Sequence, residues 1–161
     1  MVIGMKKIYY YQTDIGRVAL AEQDERIINL YFEGDFIPIE QYTSKETDIL
    51  RISHKQLQEY LRGERIKFHL PLAPTGTSFY KTVWNCLQNI PYGTTRSYRE
   101  IAEQSGNKKA WRAVGNANNK NPIPIFIPCH RVISTQGRLA GYRGGLQMKT
   151  YLLELEKNNK K

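Results

Sequence analysis

Late in the chain a cysteine, a histidine and an arginine stand side by side, Cys129-His130-Arg131, after an apolar run stiffened by Pro122, Pro124 and Pro128. A thiol attacks well only after losing its proton, so chemistry at Cys129 needs an adjacent base or a positive field. His130 is a candidate for the base and Arg131 for the field. Neighbouring side chains on a regular strand point to opposite faces. Cys129 and His130 therefore cooperate only if the chain turns at Pro128 or a water bridges them. The pair alone leaves two readings open, a catalytic thiolate or a buried structural cysteine. The other cysteine, Cys86, sits beside Trp84 and Leu87 and reads as a small hydrophobe packed in a core. His54, His69 and His130 form no CxxC-like or HxxxH spacing with the cysteines, so a zinc site has little support. No glycine-rich phosphate loop appears either, and no cofactor is expected.

The elements around this triplet are helical. Ser78 is a candidate cap for a helix carrying Phe79, Val83, Leu87 and Ile90 on one face, closed by Pro91-Tyr92-Gly93. Ser97 and Glu100 are spaced as a capping box opening a short helix that ends at Gly106. Asn107 is placed to cap the next helix, and the two together make a helix-turn-helix. The second helix carries small residues at Ala110, Ala113, Val114 and Ala117, with Gly115 beside them. Such a stripe lets a backbone approach closely either a neighbouring helix or DNA. Lys108, Lys109, Arg112 and Lys120 on the same segment favour DNA. A closing helix is expected over residues 146–157.

The first half is different. Residues 8–12, 16–22 and 26–32 are rich in β-branched and aromatic side chains and separated by Thr13-Asp14 and Asp24-Glu25, which predicts an antiparallel meander. Ile49, Ile52, Leu57, Tyr60 and Leu61 follow a helical period within residues 45–61, stopped by Gly63. His54 and His69 are read as structural. A linker with two prolines and a glycine, Pro71 to Thr77, marks the division into residues 1–74 and residues 75–161.

Charge follows the same division. Residues 1–74 hold ten basic and eleven acidic side chains, residues 75–161 fourteen and four, so the whole net charge of +9 resides in the second half. A polyanion such as DNA is the partner this asymmetry favours over mere solubility or an anionic membrane surface. No apolar run approaches the roughly 20 residues of a membrane span, and the N-terminal residues lack signal-peptide architecture. The expected location is the cytoplasm, where both cysteines stay thiols.

Taken together, Arg112-Ala-Val-Gly115, Asn121-Pro-Ile-Pro-Ile and Pro128-Cys-His-Arg-Val132, in this order within a basic helix-turn-helix, closely resemble the O6-alkylguanine-DNA alkyltransferase family. The resemblance runs from about Thr77 to Glu156. It implies an α+β protein, with a ribonuclease-H-like N-terminal domain and a winged helix-turn-helix DNA-binding domain. The implied activity is irreversible, stoichiometric transfer of an alkyl group from guanine O6 in duplex DNA to Cys129, without cofactor and by a monomer. O4-alkylthymine is a further substrate the family resemblance leaves open.

The resemblance also assigns roles. His130, through a water, is the base that forms the thiolate, and Glu156 orients His130. The thiolate is expected to be present at rest and reachable by a flipped base. Asn121 is a hinge between recognition helix and active-site loop. Tyr98 rotates the damaged nucleotide's phosphate and donates a proton to the leaving guanine. Arg112 fills the space left by the extruded base, Ala110, Ala113 and Ala117 fit the minor groove, and Lys108 and Lys109 meet the backbone. Val132 and Arg143 read the guanine edge through backbone groups, Tyr142 stacks at the pocket wall, and Lys149 assists leaving-group charge. Two positions depart from the family's habit: Arg143 and Trp111 both stand where smaller residues are common. Two rivals are a damage-binding module, which lacks the acceptor thiol, and a cysteine hydrolase, which seldom places nucleophile and base side by side.

Overall fold

A computed structural model describes residues 4–139 and 141–160. Contacts divide the chain into two compact units, with the boundary between Thr75 and Gly76.

In the first unit, β1 (Lys6–Thr13), β2 (Gly16–Gln23) and β3 (Arg26–Tyr31) form antiparallel hairpins. The second hairpin turns through Asp24 and Glu25, both at positive φ (53° and 64°). Two successive left-handed residues match the right-handed strand twist, and the Glu22 carboxylate accepts the Glu25 amide at 3.0 Å. The expected antiparallel sheet is incomplete, because β4 (Tyr42–Ser44) adds a parallel strand beside β1 and makes the order β3-β2-β1-β4 mixed. Three residues are too few to show a period of two, which is why the strand left no trace in the pattern.

Helix α1 (Asp48–Leu61) starts where the Thr47 side chain accepts the Leu50 amide, and buries Leu50, Ser53, Gln56, Leu57, Tyr60 and Leu61. Each such fully buried aliphatic contributes about 1.5–3 kcal/mol. Of the expected apolar positions Leu57, Tyr60 and Leu61 are buried, whereas Ile52 faces outward, 46% exposed, and Leu50 takes its place on the inner face. Gly63 leaves the helix at φ 76°, a conformation that costs other residues dearly. His54 stacks on Tyr11 with centroids 4.1 Å apart, and the His69 backbone is bonded on both sides by Gln56.

The second unit is mostly helical: α2 (Ser78–Gln88), α3 (Tyr98–Gln104), α4 (Trp111–Asn119) and α5 (Leu146–Asn159). Strands β5 (Arg96–Ser97) and β6 (Val132–Ile133) pair in parallel. Thr77, not Ser78, caps α2, its hydroxyl accepting the Tyr80 amide. The Ser97–Glu100 capping box is present in full. Gly106 turns the chain at φ 106° between α3 and α4. Asn107 does not cap α4. Its side chain accepts the Lys109 amide and its carbonyl the Ala110 amide, so a turn fills the gap and the helix begins one residue after Ala110.

Trp84 anchors the core of this unit. It is 1% exposed, and its indole N–H donates to the Ala117 carbonyl at 2.9 Å, so the ring is buried without an orphaned donor. Leu87, Ile101, Val114, Ile123, Ile127 and Leu152 pack in the same core.

Candidate active site

The run before Cys129 is not a strand. Ile127 donates to the Ile123 carbonyl at 2.9 Å, Ile125 lies at φ 73°, and residues Cys129–Arg131 form one 3-10 turn after Pro128. A β-branched residue at positive φ costs about 1–3 kcal/mol and persists only where its surroundings fix it. Ile123, Ile125 and Ile127 are each at most 1% exposed, and that burial holds the loop. The turn at Pro128 removes the strand's alternation, so Cys129 and His130 are no longer bound to opposite faces.

Two asparagines hold this loop, Asn121 from within it and Asn118 from α4. Asn121 donates to the Ile127 carbonyl at 2.8 Å and accepts the Ile123 amide at 3.0 Å, both buried. Asn118, near the C-terminal end of α4, donates to the Cys129 carbonyl at 3.2 Å. Asn118 was missed in the sequence. A polar residue on the inner face of an amphipathic helix was the available signal.

His130 and Glu156 are both fully buried, and His130 Nε2 meets Glu156 Oε2 at 2.7 Å. Arg131 donates to the same carboxylate from Nε at 2.8 Å and from Nη2 at 2.9 Å, and the Gly93 amide donates at 3.0 Å. Burial alone raises the Glu156 carboxyl, but the hydrogen bonds from His130 and Arg131 and the Arg131 charge outweigh it and hold it well below the usual carboxylate range. Burial lowers His130 against the pull of Glu156. Arg131 therefore neutralises Glu156, while His130 is neutral and donates its Nε2 proton to the carboxylate. The lone pair then sits on Nδ1.

This geometry gives Arg131 a different task from the one its sequence position suggested. Its guanidinium is committed to Glu156, to the Ile90 carbonyl at 2.7 Å and to the Tyr92 ring, 5.7 Å from the centroid. The positive field at Cys129 comes from Arg143 and Lys149. Burial still pushes the Cys129 thiol up against that field and the Asn121 side chain, and the residue is only 4% exposed. Burial thus works against the thiolate expected at rest, and the sulfur is largely closed off from solvent.

Lys149 is buried, donates to the Val132 carbonyl at 2.7 Å, and is brought down to about 8 by burial, against the attraction of Cys129. The Val132 amide is used as well, donating to the Cys129 carbonyl. The Tyr98 hydroxyl is raised first by burial and then by the charge of Cys129, so it retains a transferable proton. Its ring lies against Gly115, where a Cβ would just touch it at 3.9 Å. Tyr142 is buried, and Arg143 Nη1 donates to the Asn121 carbonyl at 3.0 Å. The Arg143 side chain thus turns towards the cysteine loop.

The predicted DNA-facing set is split. Lys108, Lys109, Arg112 and Ala113 are exposed, as is the neighbouring Trp111, and Ala110 is half-buried. Ala117 is fully buried beneath the Trp84 indole and drops out of the DNA-facing stripe. The small residues therefore serve both readings, close helix packing on one side and an open face on the other.

A mixed sheet with a helix, then a helix-turn-helix unit carrying a buried cysteine beside a His–Glu–Arg cluster, defines a class of two-unit proteins with a thiol set next to a buried histidine–carboxylate pair. Residues 6–74 match the family model for the 6-O-methylguanine DNA methyltransferase ribonuclease-like domain, and residues 78–158 the model for its DNA binding domain. The chain belongs to the 6-O-methylguanine DNA methyltransferase family. A methylated-DNA–protein-cysteine methyltransferase of Methanosarcina acetivorans is 45% identical over 153 residues, covering 92% of this chain and 98% of the relative. The constitutive enzyme of that name from Bacillus subtilis is 43% identical over 152 residues, covering 91% and 92%. The crystal structure of Mycobacterium tuberculosis OGT in complex with DNA superposes with a TM-score of 0.90 at 41% identity, covering 95% of this chain and 94% of that one.

Proposed function

We propose that this protein repairs O6-alkylguanine in duplex DNA by moving the alkyl group onto its own Cys129. The observation that carries the reading is the 2.7 Å contact between Glu156 Oε2 of α5 and Nε2 of His130, which stands in the same turn as the buried cysteine. Glu156 fixes the imidazole proton on Nε2, as the third member of a hydrolytic triad fixes its histidine. Nδ1, through a water, takes the thiol proton. The sulfur attacks the alkyl carbon, an S–C bond forms as the C–O6 bond breaks, and the electron pair leaves with guanine. Tyr98 supplies the ring proton and Lys149 eases the leaving charge. The products are a thioether and unmodified guanine, so one molecule acts once.

The alkyl carbon is unreachable while the base is stacked, so the nucleotide is flipped out, at a cost of a few kcal/mol. Arg112 fills the gap. The basic face with Ala113 open and Ala110 half-buried suits the minor groove, whose degenerate pattern admits any sequence around the lesion. Val132, Tyr142 and Arg143 border the base, residues 75–161 carry both tasks, and residues 1–74 are structural. The protein works as a cytoplasmic monomer, and O4-alkylthymine is the second lesion to assay. Among the described residues no helix is long and apolar enough to cross a membrane.

The test is incubation with a duplex bearing one O6-methylguanine, followed by peptide mapping. One methyl on the Cys129 peptide, with a plateau at one equivalent, is the expected result. Repair beyond one equivalent, or tight binding with an unmodified Cys129, would overturn it in favour of a turnover enzyme or a pure binding module.

A further inference from the structure

Trp111 is the first residue of α4 and remains 38% exposed, on the face that carries the basic side chains. Two guanidinium groups lie over its ring: Arg112 at 5.0 Å and Arg99, from α3, at 5.8 Å from the centroid. Both distances fall within the range of cation–π attraction. Among the described residues neither arginine forms a salt bridge, so no carboxylate explains their convergence. Two like charges drawn together on an exposed ring repel each other unless an anion lies nearby, and a phosphate backbone provides that anion.

We propose that Trp111 is a positioning residue for Arg112: its indole face, shared with Arg99, holds the Arg112 guanidinium at the surface so that it meets the duplex already ordered. This rests on the reading of the protein as a base-flipping alkyltransferase. A free arginine side chain must surrender much of its rotamer freedom on entering a gap between bases, and a ring that restrains it beforehand reduces that loss. Arg99 adds a second cation at the same point, tying α3 to α4 where the helix-turn-helix faces the nucleic acid. Phenylalanine retains a π face and leucine retains bulk without one, so the two substitutions separate the electrostatic contact from mere packing.

The experiment measures single-turnover rates on a methylated duplex and on the free O6-alkylguanine base for wild type, Trp111→Leu and Trp111→Phe. The free base requires no flipping and reports on the folded site. Trp111→Leu should lower the duplex-to-free-base rate ratio about two- to fivefold, the worth of one exposed cation–π contact, and Trp111→Phe should restore part of it. Because Trp84 is buried, acrylamide quenching reads Trp111 directly, and undamaged duplex should shield it. An unchanged ratio in Trp111→Leu, no recovery with Trp111→Phe, or unshielded quenching overturns the proposal. Wild-type protein that never alkylates Cys129 overturns the underlying reading instead, and the inference with it.

Discussion

Asn118 and Cys129 are joined by one hydrogen bond, from the side-chain amide near the end of α4 to the carbonyl of the cysteine, at 3.2 Å and with both residues buried. The helix that carries Arg112 is thereby fixed to the turn that carries the sulfur. Asn118→Ala removes that donor while the Val132 amide still serves the carbonyl, so the loss is that of one hydrogen bond, about 0.5–1.5 kcal/mol. Urea unfolding should show that loss, and single-turnover assays should show slower transfer on duplex and free base alike. Unchanged stability would mean that Asn118 does not hold the turn.

Glu156 gives a prediction with a pH signature. Its folded carboxyl lies well below the ordinary range, because the hydrogen bonds from His130 and Arg131 and the Arg131 charge outweigh burial. A group depressed on folding stabilises the protein above its unfolded pKa, about 4.3 for glutamate, and loses that contribution as pH falls towards the folded value. Glu156→Gln should remove this acid-side slope from the stability profile. It also strips the counterion from the buried Arg131, a change that costs about 3–5 kcal/mol when one partner of a buried pair is lost. A Glu156→Gln profile parallel to wild type between pH 6 and pH 3 would contradict the assignment.

Lys149 acts on the alkaline side. Its folded value is about 8, against an ordinary 10.5, because burial disfavours the ammonium. Between those values the unfolded chain binds the proton and the folded chain does not, so stability attributable to this group rises with pH over that window. Lys149→Met should remove the rise, which urea midpoints for both proteins at pH 8, 9 and 10 would reveal as wild-type stability climbing relative to the variant. A constant difference would place the lysine's proton elsewhere.

The chemistry was more legible than the geometry. Cys129 and His130 could be singled out by their types and adjacency, Glu156 only through the family resemblance, and the capping box at Ser97 and Glu100 appeared as read. The segment before Cys129 looked like a strand since isoleucines alternate with prolines, but local hydrogen bonds and a left-handed Ile125 bend it into turns that periodicity does not encode. Strand β4 was too short to leave a pattern, and Asn107 satisfied a turn where a cap was expected. The sulfur's protonation depends on burial, which is a property of the packed chain. Arg131 was read by adjacency as the partner of Cys129, whereas its carboxylate partner comes from α5, 25 residues on.

Arg143→Ala tests whether this side chain limits which alkyl groups fit. Its guanidinium donates to the Asn121 carbonyl and its charge bears on Cys129, so it occupies room and supplies field beside the sulfur. Arg143→Ala removes both. The lost bulk should raise the rate with a benzyl adduct relative to a methyl adduct, while the lost charge makes the thiol harder to ionise and slows both reactions near neutral pH. The two effects separate in the pH dependence: the benzyl-to-methyl ratio should stay raised at every pH, while the absolute rates approach wild type as the pH climbs and the thiol ionises without help. Competition between the two adducts on otherwise identical duplexes, at pH 7 and pH 9, measures both. A ratio equal to wild type would mean that the side chain leaves the path of the alkyl group before the base arrives, and that Arg143 contributes charge alone.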